Sequence, residues 1–273
     1  MYESPFDDLK KRGIFFDSLG YLDRDLNLQG YSGTLDVLLE ETQVVVSIGG
    51  NDQTLPETLK RVLHPPRIIR ALINHKIQKR TGDFESLIVD ALEIGLRTYC
   101  GEDTSPLISR LKLDIIERDA ALLEEYVLQL KDAVTWEASN PQYSNLTSQR
   151  IAKITQNDVL LIALAHGGVA AGMDVFLRYC DQVESSRSSF YAVRLSQTKH
   201  DDKRPKLNRS ERLMLQEWAL GKDVIVLDED SHTGDTLRSA KKYFQKLFPK
   251  QEVRVVANIM TREAKGKLYG SLI

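Results

Sequence analysis

The sequence is poor in cysteine, with only Cys100 and Cys180 among 273 residues. Two cysteines cannot build a disulfide framework or a four-cysteine zinc site. Free thiols suit a reducing compartment, so a cytoplasmic location is expected. Long apolar runs are also lacking. None approaches the roughly 18 residues of a spanning helix, which argues against a membrane partner. The N-terminus, MYESPFDDLKKRG, lacks the basic-then-apolar order of a signal peptide. The five histidines are dispersed and show no metal-ligand spacing with the cysteines, so no protein metal ligands are assigned. Charge of one sign is lacking too. Lys and Arg number 37 against 39 Asp and Glu, a net of −2, which excludes a polybasic protein.

The average conceals a pattern. Residues 1–57 hold 11 acids and 4 Lys or Arg, whereas residues 58–82 hold 7 Lys or Arg and no acid. The β-rich run TQVVVSI predicts a strand over 42–48. After Pro65-Pro66 the spacing of Ile68, Ile69, Leu72, Ile73 and Ile77 predicts a helix ending near Thr81-Gly82. A second helix follows, capped by Asp83, and a third helical stretch runs from Pro106 to about Leu130. The polar segment 139–148 reads as a linker. The expected organisation is a mostly helical N-terminal domain, 1–145, and an α/β domain, 146–273.

From 157 onward the texture changes. Apolar runs at 158–165, 189–195, 223–227 and 252–259 alternate with helical stretches. That alternation predicts a parallel sheet whose strands are buried on both faces. Open parallel sheets bind ligands beyond the carboxyl ends of their strands, so the loops after 165, 195 and 227 carry the information.

The strongest such feature is 224–237, VIVLDEDSHTGDTL. A buried strand ends in Asp228 and Glu229, and a small polar loop then opens a helix. Paired carboxylates at a strand end can accept hydrogen bonds from vicinal ribose hydroxyls. A Thr/Gly turn at a helix start offers N–H groups and hydroxyls to a phosphate. The alternative is an ordinary strand–turn–helix with a capping residue. Upstream, 161–172, LIALAHGGVAAG, places a Gly-Gly turn after the first strand, where backbone can approach an anion closely. The competing explanation is a tight turn beside a close-packed helix.

The segment 224–237 resembles the phosphoribosyl-pyrophosphate (PRPP) signature of the type I phosphoribosyltransferases: four apolar residues, two acids, then Thr-Gly-x-Thr/Ser. The resemblance covers about 155–260. It implies a phosphoribosyltransferase-type fold in which Asp228 and Glu229 contact the ribose hydroxyls. His232, Thr233, Gly234, Asp235 and Thr236 would then hold the 5′-phosphate. His232 is open to two roles, general acid/base or phosphate ligand. By the same resemblance, Ala165, His166, Gly167 and Gly168 form the pyrophosphate loop. Arg194 is the basic residue beside the pyrophosphate, and Lys199 belongs to a basic loop over the site. Residues 194–212 hold 7 Lys or Arg against 3 acids. The implied reaction displaces Mg2+-bound pyrophosphate from C1 of PRPP, with few protein ligands to the Mg2+. The implied assembly is a homodimer. The acceptor is not legible.

Arg67, Arg70, Lys76, Lys79 and Arg80 sit on or beside one basic helix followed by a Gly turn and a second helix. That arrangement is compatible with nucleic-acid binding through residues 58–100, or with a solvated face. A second expectation is therefore a regulator that senses PRPP or a nucleotide and binds nucleic acid. Phosphoribosyltransferase-like proteins in bacterial retron defence cassettes are similar in plan. The segment 14–25, IFFDSLGYLDRD, superficially resembles the start of a haloacid dehalogenase around Asp17. Leu19 stands where the second aspartate belongs, so that reading is set aside.

Overall fold

A computed structural model describes residues 2–15, 30–48, 53–79, 84–130, 133–165, 167–196, 201–231, 233–262 and 266–272. The chain divides into two units, Glu3–Glu137 and Ala138–Ile273, the latter joined by Met1–Tyr2. The boundary expected at 145/146 falls inside the helix Pro141–Ile154, which lies wholly in the second unit.

The first unit holds α1 (Pro5–Lys11), β1 (Tyr31–Thr34), α2 (Leu35–Ser47), α3 (Leu55–Lys79), α4 (Glu85–Tyr99), α5 (Ser105–Asp119) and β2 (Tyr126–Gln129). A short helix, α6 (Ala133–Ala138), ends at the division. The strand expected over 42–48 is helical. Leu35, Leu38, Leu39, Thr42, Val45 and Val46 are buried at helical spacing, and Thr34 caps the start by accepting from the Val37 N–H. The buried stripe thus overrides the β preference of Val44–Val46 and their neighbours. The third helical stretch is shorter than expected. It ends at Asp119, followed by a 3-10 turn over Ala120–Glu124 and by β2, which pairs antiparallel with β1.

Pro65 and Pro66, read from sequence as a helix start, lie inside the 25-residue helix α3. Proline at 66 removes the N–H that would bond to the Val62 carbonyl. The Tyr99 hydroxyl donates to that carbonyl instead, at 2.8 Å. A neighbouring helix therefore supplies the hydrogen bond that the proline deletes.

The second unit contains α7 (Pro141–Ile154), β3 (Val159–Ala165), α8 (Gly168–Val183), β4 (Ser189–Arg194), α9 (Arg209–Trp218), β5 (Asp223–Ser231), α10 (Asp235–Leu247), β6 (Val253–Arg262) and β7 (Gly266–Leu272). The segment expected as a linker is α7. Its Asn140 side chain accepts from the Gln142 N–H and Pro141 sits in the first turn, so Asn-Pro here is a cap and a helix start. The strand order is β4-β3-β5-β6-β7, with β4, β3, β5 and β6 parallel and β7 antiparallel at the edge. This is the α/β architecture the alternation predicts, with four parallel strands. All seven residues of β3 are buried. Gly172 lets α8 lie close to the sheet, since a Cβ there would come within 2.9 Å of the Ala163 Cβ.

The chain reverses direction across the sheet between β3 and β5, because β4 lies on one side of β3 and β5 on the other. That switch point is where open α/β sheets form a crevice.

Candidate functional site

The site begins where two strands part. β3 and β5 stay in register only as far as Ala163 opposite Leu227. β5 continues along β6, with Asp228 opposite Ala257, Asp230 opposite Ile259 and Ser231 opposite Met260. The acidic pair therefore lies within a strand that has lost its partner on one side.

The Gly-Gly turn fills the gap. A Cβ at Gly167 would collide with the Glu229 carboxylate, and one at Gly168 would lie 3.3 Å from Glu229 Oε2. Gly167 precedes the first residue of the 16-residue helix α8. The positive end of that helix favours a negative charge at Glu229. Glycine at 167 is required because Glu229 occupies the space a side chain would need.

Successive strand residues normally point to opposite faces, yet the charge of Glu229 acts on the Asp228 carboxyl and raises its pKa. The Glu229 N–H also donates to Asp228 Oδ1 at 3.2 Å. Burial pushes the Asp228 carboxyl well above the usual carboxylate range, and the charges of Glu229 and Asp230 add to this. Asp228 retains some exposed surface, so it is enclosed by protein but still reaches the gap. A cation or a donor-rich ligand at the pair would offset that repulsion.

The register extends the site sideways. Arg194, at the end of β4, lies opposite Ala165, the buried last residue of β3. Glu229 lies level with Asn258 on β6, between the pairs Asp228–Ala257 and Asp230–Ile259. Arg194 is already engaged. Its Nε and Nη2 donate to the two oxygens of Asp202 at 3.2 and 3.3 Å. Asp202 is 1% exposed. It also accepts from the Ser196 N–H at 3.2 Å and pairs with Lys206 Nζ at 3.2 Å. Burial pushes the Asp202 carboxyl up, but the Ser196 N–H, Lys206 and Arg194 outweigh this and hold it below its ordinary value.

The Thr-Gly-Asp-Thr segment opens α10. Gly234 takes the left-handed conformation, φ 77°, which a side chain would resist. The Thr233 hydroxyl donates to Asp235 Oδ2 at 2.6 Å, and the Asp235 N–H donates back to Thr233 Oγ1 at 3.3 Å. The Thr233 hydroxyl and Arg238 hold the Asp235 carboxyl below its ordinary value. Thr236 is partly exposed in the first turn. The structure thus gathers Ala165, Gly167, Gly168, Arg194, Asp228, Glu229, Thr233, Gly234, Asp235 and Thr236 at the carboxyl ends of three parallel strands. His166, Lys199 and His232 lie outside the described residues, as do Arg80 and Asp17.

Two residues of this region escape sequence reasoning. Asp202 stands as an acid within a basic loop, which is a usable signal. Asn258 gives none. Its Nδ2 donates to the Ala138 carbonyl at 3.0 Å, while its Oδ1 is buried without a hydrogen-bond partner among the described residues.

The basic residues of α3 turn largely inward. Arg67 is buried, donates to Gln129 Oε1 and His64 Nδ1 at 2.8 Å each, and lies over the Tyr31 ring. Burial lowers its pKa to about 10. Because arginine only donates, His64 Nδ1 accepts and Nε2–H faces Glu41. Burial and then Arg67 lower the His64 pKa to about 4, so it is neutral. Lys76 is buried, Arg70 is partly buried, and Lys79 is exposed but paired with Asp119 at 3.2 Å.

Among the described residues no helix is long and apolar enough to cross a membrane, and no cluster of three or more His, Cys, Asp or Glu is arranged to hold a metal ion. No family model and no curated protein sequence matches the chain.

Proposed function

We propose that the second unit is a phosphoribosyltransferase-like enzyme that binds Mg2+-PRPP or a nucleotide and transfers or cleaves the ribosyl phosphate at C1. The observation that carries this reading is the opposition of the Asp228–Glu229 pair to the Gly167-Gly168 turn, beside a Thr-Gly-Asp-Thr helix start. Each part has a chemical counterpart in a phosphorylated ribose. The carboxylates accept from vicinal hydroxyls. The Thr233 hydroxyl and the N–H groups opening α10 suit a phosphate. The turn before α8 allows an anion close to backbone.

Mg2+ fits the acids that are present. Among the described residues no Lys or Arg pairs with Asp228, and burial and the charge of Glu229 raise its pKa. A divalent ion would offset that cost of charge, with Asp228 and Glu229 as the protein oxygens near it. When bound, it would neutralise charge on the departing pyrophosphate. Arg194 would contribute to the same end.

The nucleic-acid alternative draws less support, because Arg67 and Lys76 are buried rather than presented on an open face. Calorimetry with Mg2+-PRPP tests the enzyme reading. Wild type should bind and release pyrophosphate with a suitable acceptor. Asp228→Asn with Glu229→Gln should abolish both while the fold persists. Release that survives the double substitution would sink the reading.

A further inference from the structure

Asp202 is surrounded as an anionic ligand would be. A guanidinium grips both carboxylate oxygens, a backbone N–H donates to one of them, and an ammonium pairs with the other. The carboxylate is 1% exposed. Two-pronged Arg contacts of this kind suit phosphate oxygens as well as they suit carboxylate oxygens. The cluster is also correctly located. Arg194 ends β4 directly opposite Ala165, the residue before the turn that leads into α8. The backbone ties the same residues together, with the Asp202 N–H donating to the Ser196 carbonyl and the Lys206 N–H to the Arg194 carbonyl. The preceding residue, Asp201, is in the left-handed region at φ 49°, a conformation non-glycine residues adopt sparingly.

We propose that Asp202 is a built-in competitor for the anion at Arg194, occupying in the ligand-free protein the Arg194, Lys206 and Ser196 N–H donors that a phosphate or diphosphate group would take. This deepens the phosphoribosyltransferase reading and rests on it for the identity of the anion. Binding is then an exchange of one anion for another on the same donors. Asp202 sets the affinity because an arriving diphosphate must displace a carboxylate already held by four donor groups. The arrangement favours diphosphate over a monoanion, since only a ligand of higher charge gains from the exchange.

The test is calorimetric titration with inorganic pyrophosphate, using the full chain. Asp202→Asn removes the competing charge and should tighten binding roughly tenfold or more. Adding Arg194→Gln to Asp202→Asn should abolish that gain. Lys206→Gln changes a partly exposed side chain and preserves the Arg–Asp pair, so it keeps the test valid if Asp202→Asn does not fold. It should weaken binding severalfold. Asp202→Asn binding no tighter than wild type, a gain that survives loss of Arg194, or Lys206→Gln binding like wild type would each overturn the proposal. The two readings fail separately. Mg2+-PRPP binding that depends on Asp228 and Glu229, with pyrophosphate affinity indifferent to Asp202, would remove only the competitor role of Asp202.

Discussion

Replacing Asp228 by Asn should stabilise the ligand-free protein while disabling it. The carboxyl accepts from the Glu229 N–H, and burial and the charges of Glu229 and Asp230 raise its pKa. Its folded-state pKa therefore lies above the unfolded value, so the folded protein binds this proton more readily than the unfolded chain. Stability must then fall as pH rises from about 4, the ordinary Asp range, through the folded-state pKa, and the full penalty is present above it. Asn has the same shape and keeps an acceptor for the Glu229 N–H, yet carries no charge. It mimics the protonated acid. Removing a partly buried carboxylate without a cation partner among the described residues should yield about 1–2 kcal/mol near pH 8. That is about 2–4 °C in Tm per kcal/mol for a unit of this size. At pH 4 the gain should vanish. Thermal melts of both proteins from pH 4 to 8 measure the difference directly. A variant less stable than wild type at pH 8, or one whose advantage is the same at pH 4, would refute the reasoning. The same substitution should lose Mg2+-PRPP binding, as expected where a functional site carries strain that the fold tolerates.

Gly167→Ala should cost about 1–3 kcal/mol, because its Cβ collides with the Glu229 carboxylate, and chemical denaturation should show it. Tyr99→Phe should cost about 1 kcal/mol by orphaning the Val62 carbonyl. In a Pro66→Ala background that carbonyl regains a helical N–H, so the cost should disappear; an additive double-mutant cycle would contradict this. His64, with its pKa lowered to about 4, stays neutral in the fold while the unfolded chain protonates it below about 6.5. Stability should therefore fall between pH 6.5 and 4, by at most about 3 kcal/mol from this group, and His64→Gln should flatten that part of the pH–stability curve.

The α/β half was legible because its signals are local and mutually consistent. Four apolar runs separated by helical stretches leave few alternatives to a parallel sheet, and VIVLDEDSHTGDTL places two acids and a helix start in one continuous segment. What escaped was decided by tertiary packing. The run 42–48 is β-branched, yet its residues complete a stripe that begins at Leu35, which only a helix can bury on one face. Pro65-Pro66 signals a helix boundary, and only the Tyr99 hydroxyl on another helix makes the interior position tolerable. Asn140-Pro141 has the composition of a linker and the geometry of a cap. At the site, the acids were visible but the raised Asp228 pKa was not, since it depends on burial where β5 runs beyond its pairing with β3. The basic helix misled for a related reason: a charge count does not distinguish a solvated arginine from one stacked on Tyr31 and bonded to Gln129.

The parting of β3 from β5 accounts for several features that would otherwise need separate explanations. Once the ladder ends at Ala163 and Leu227, Asp228 and Glu229 have no strand beside them on that edge, and the turn into α8 occupies the gap. Glycine at 167 follows, because the Glu229 carboxylate already fills the position of a Cβ. The continued pairing of β5 with β6 holds the backbone of both acids in the sheet, and their mutual repulsion raises the Asp228 pKa. On the far side of β3, Arg194 carries the compensating positive charge, but Asp202 holds it. A ligand that presents hydroxyls or a cation to the acids and a diphosphate to Arg194 satisfies both sides of β3 at once. Under the proposed function neither an uncharged sugar nor free phosphate would do so, and a sugar bearing a diphosphate should bind more tightly than either fragment alone.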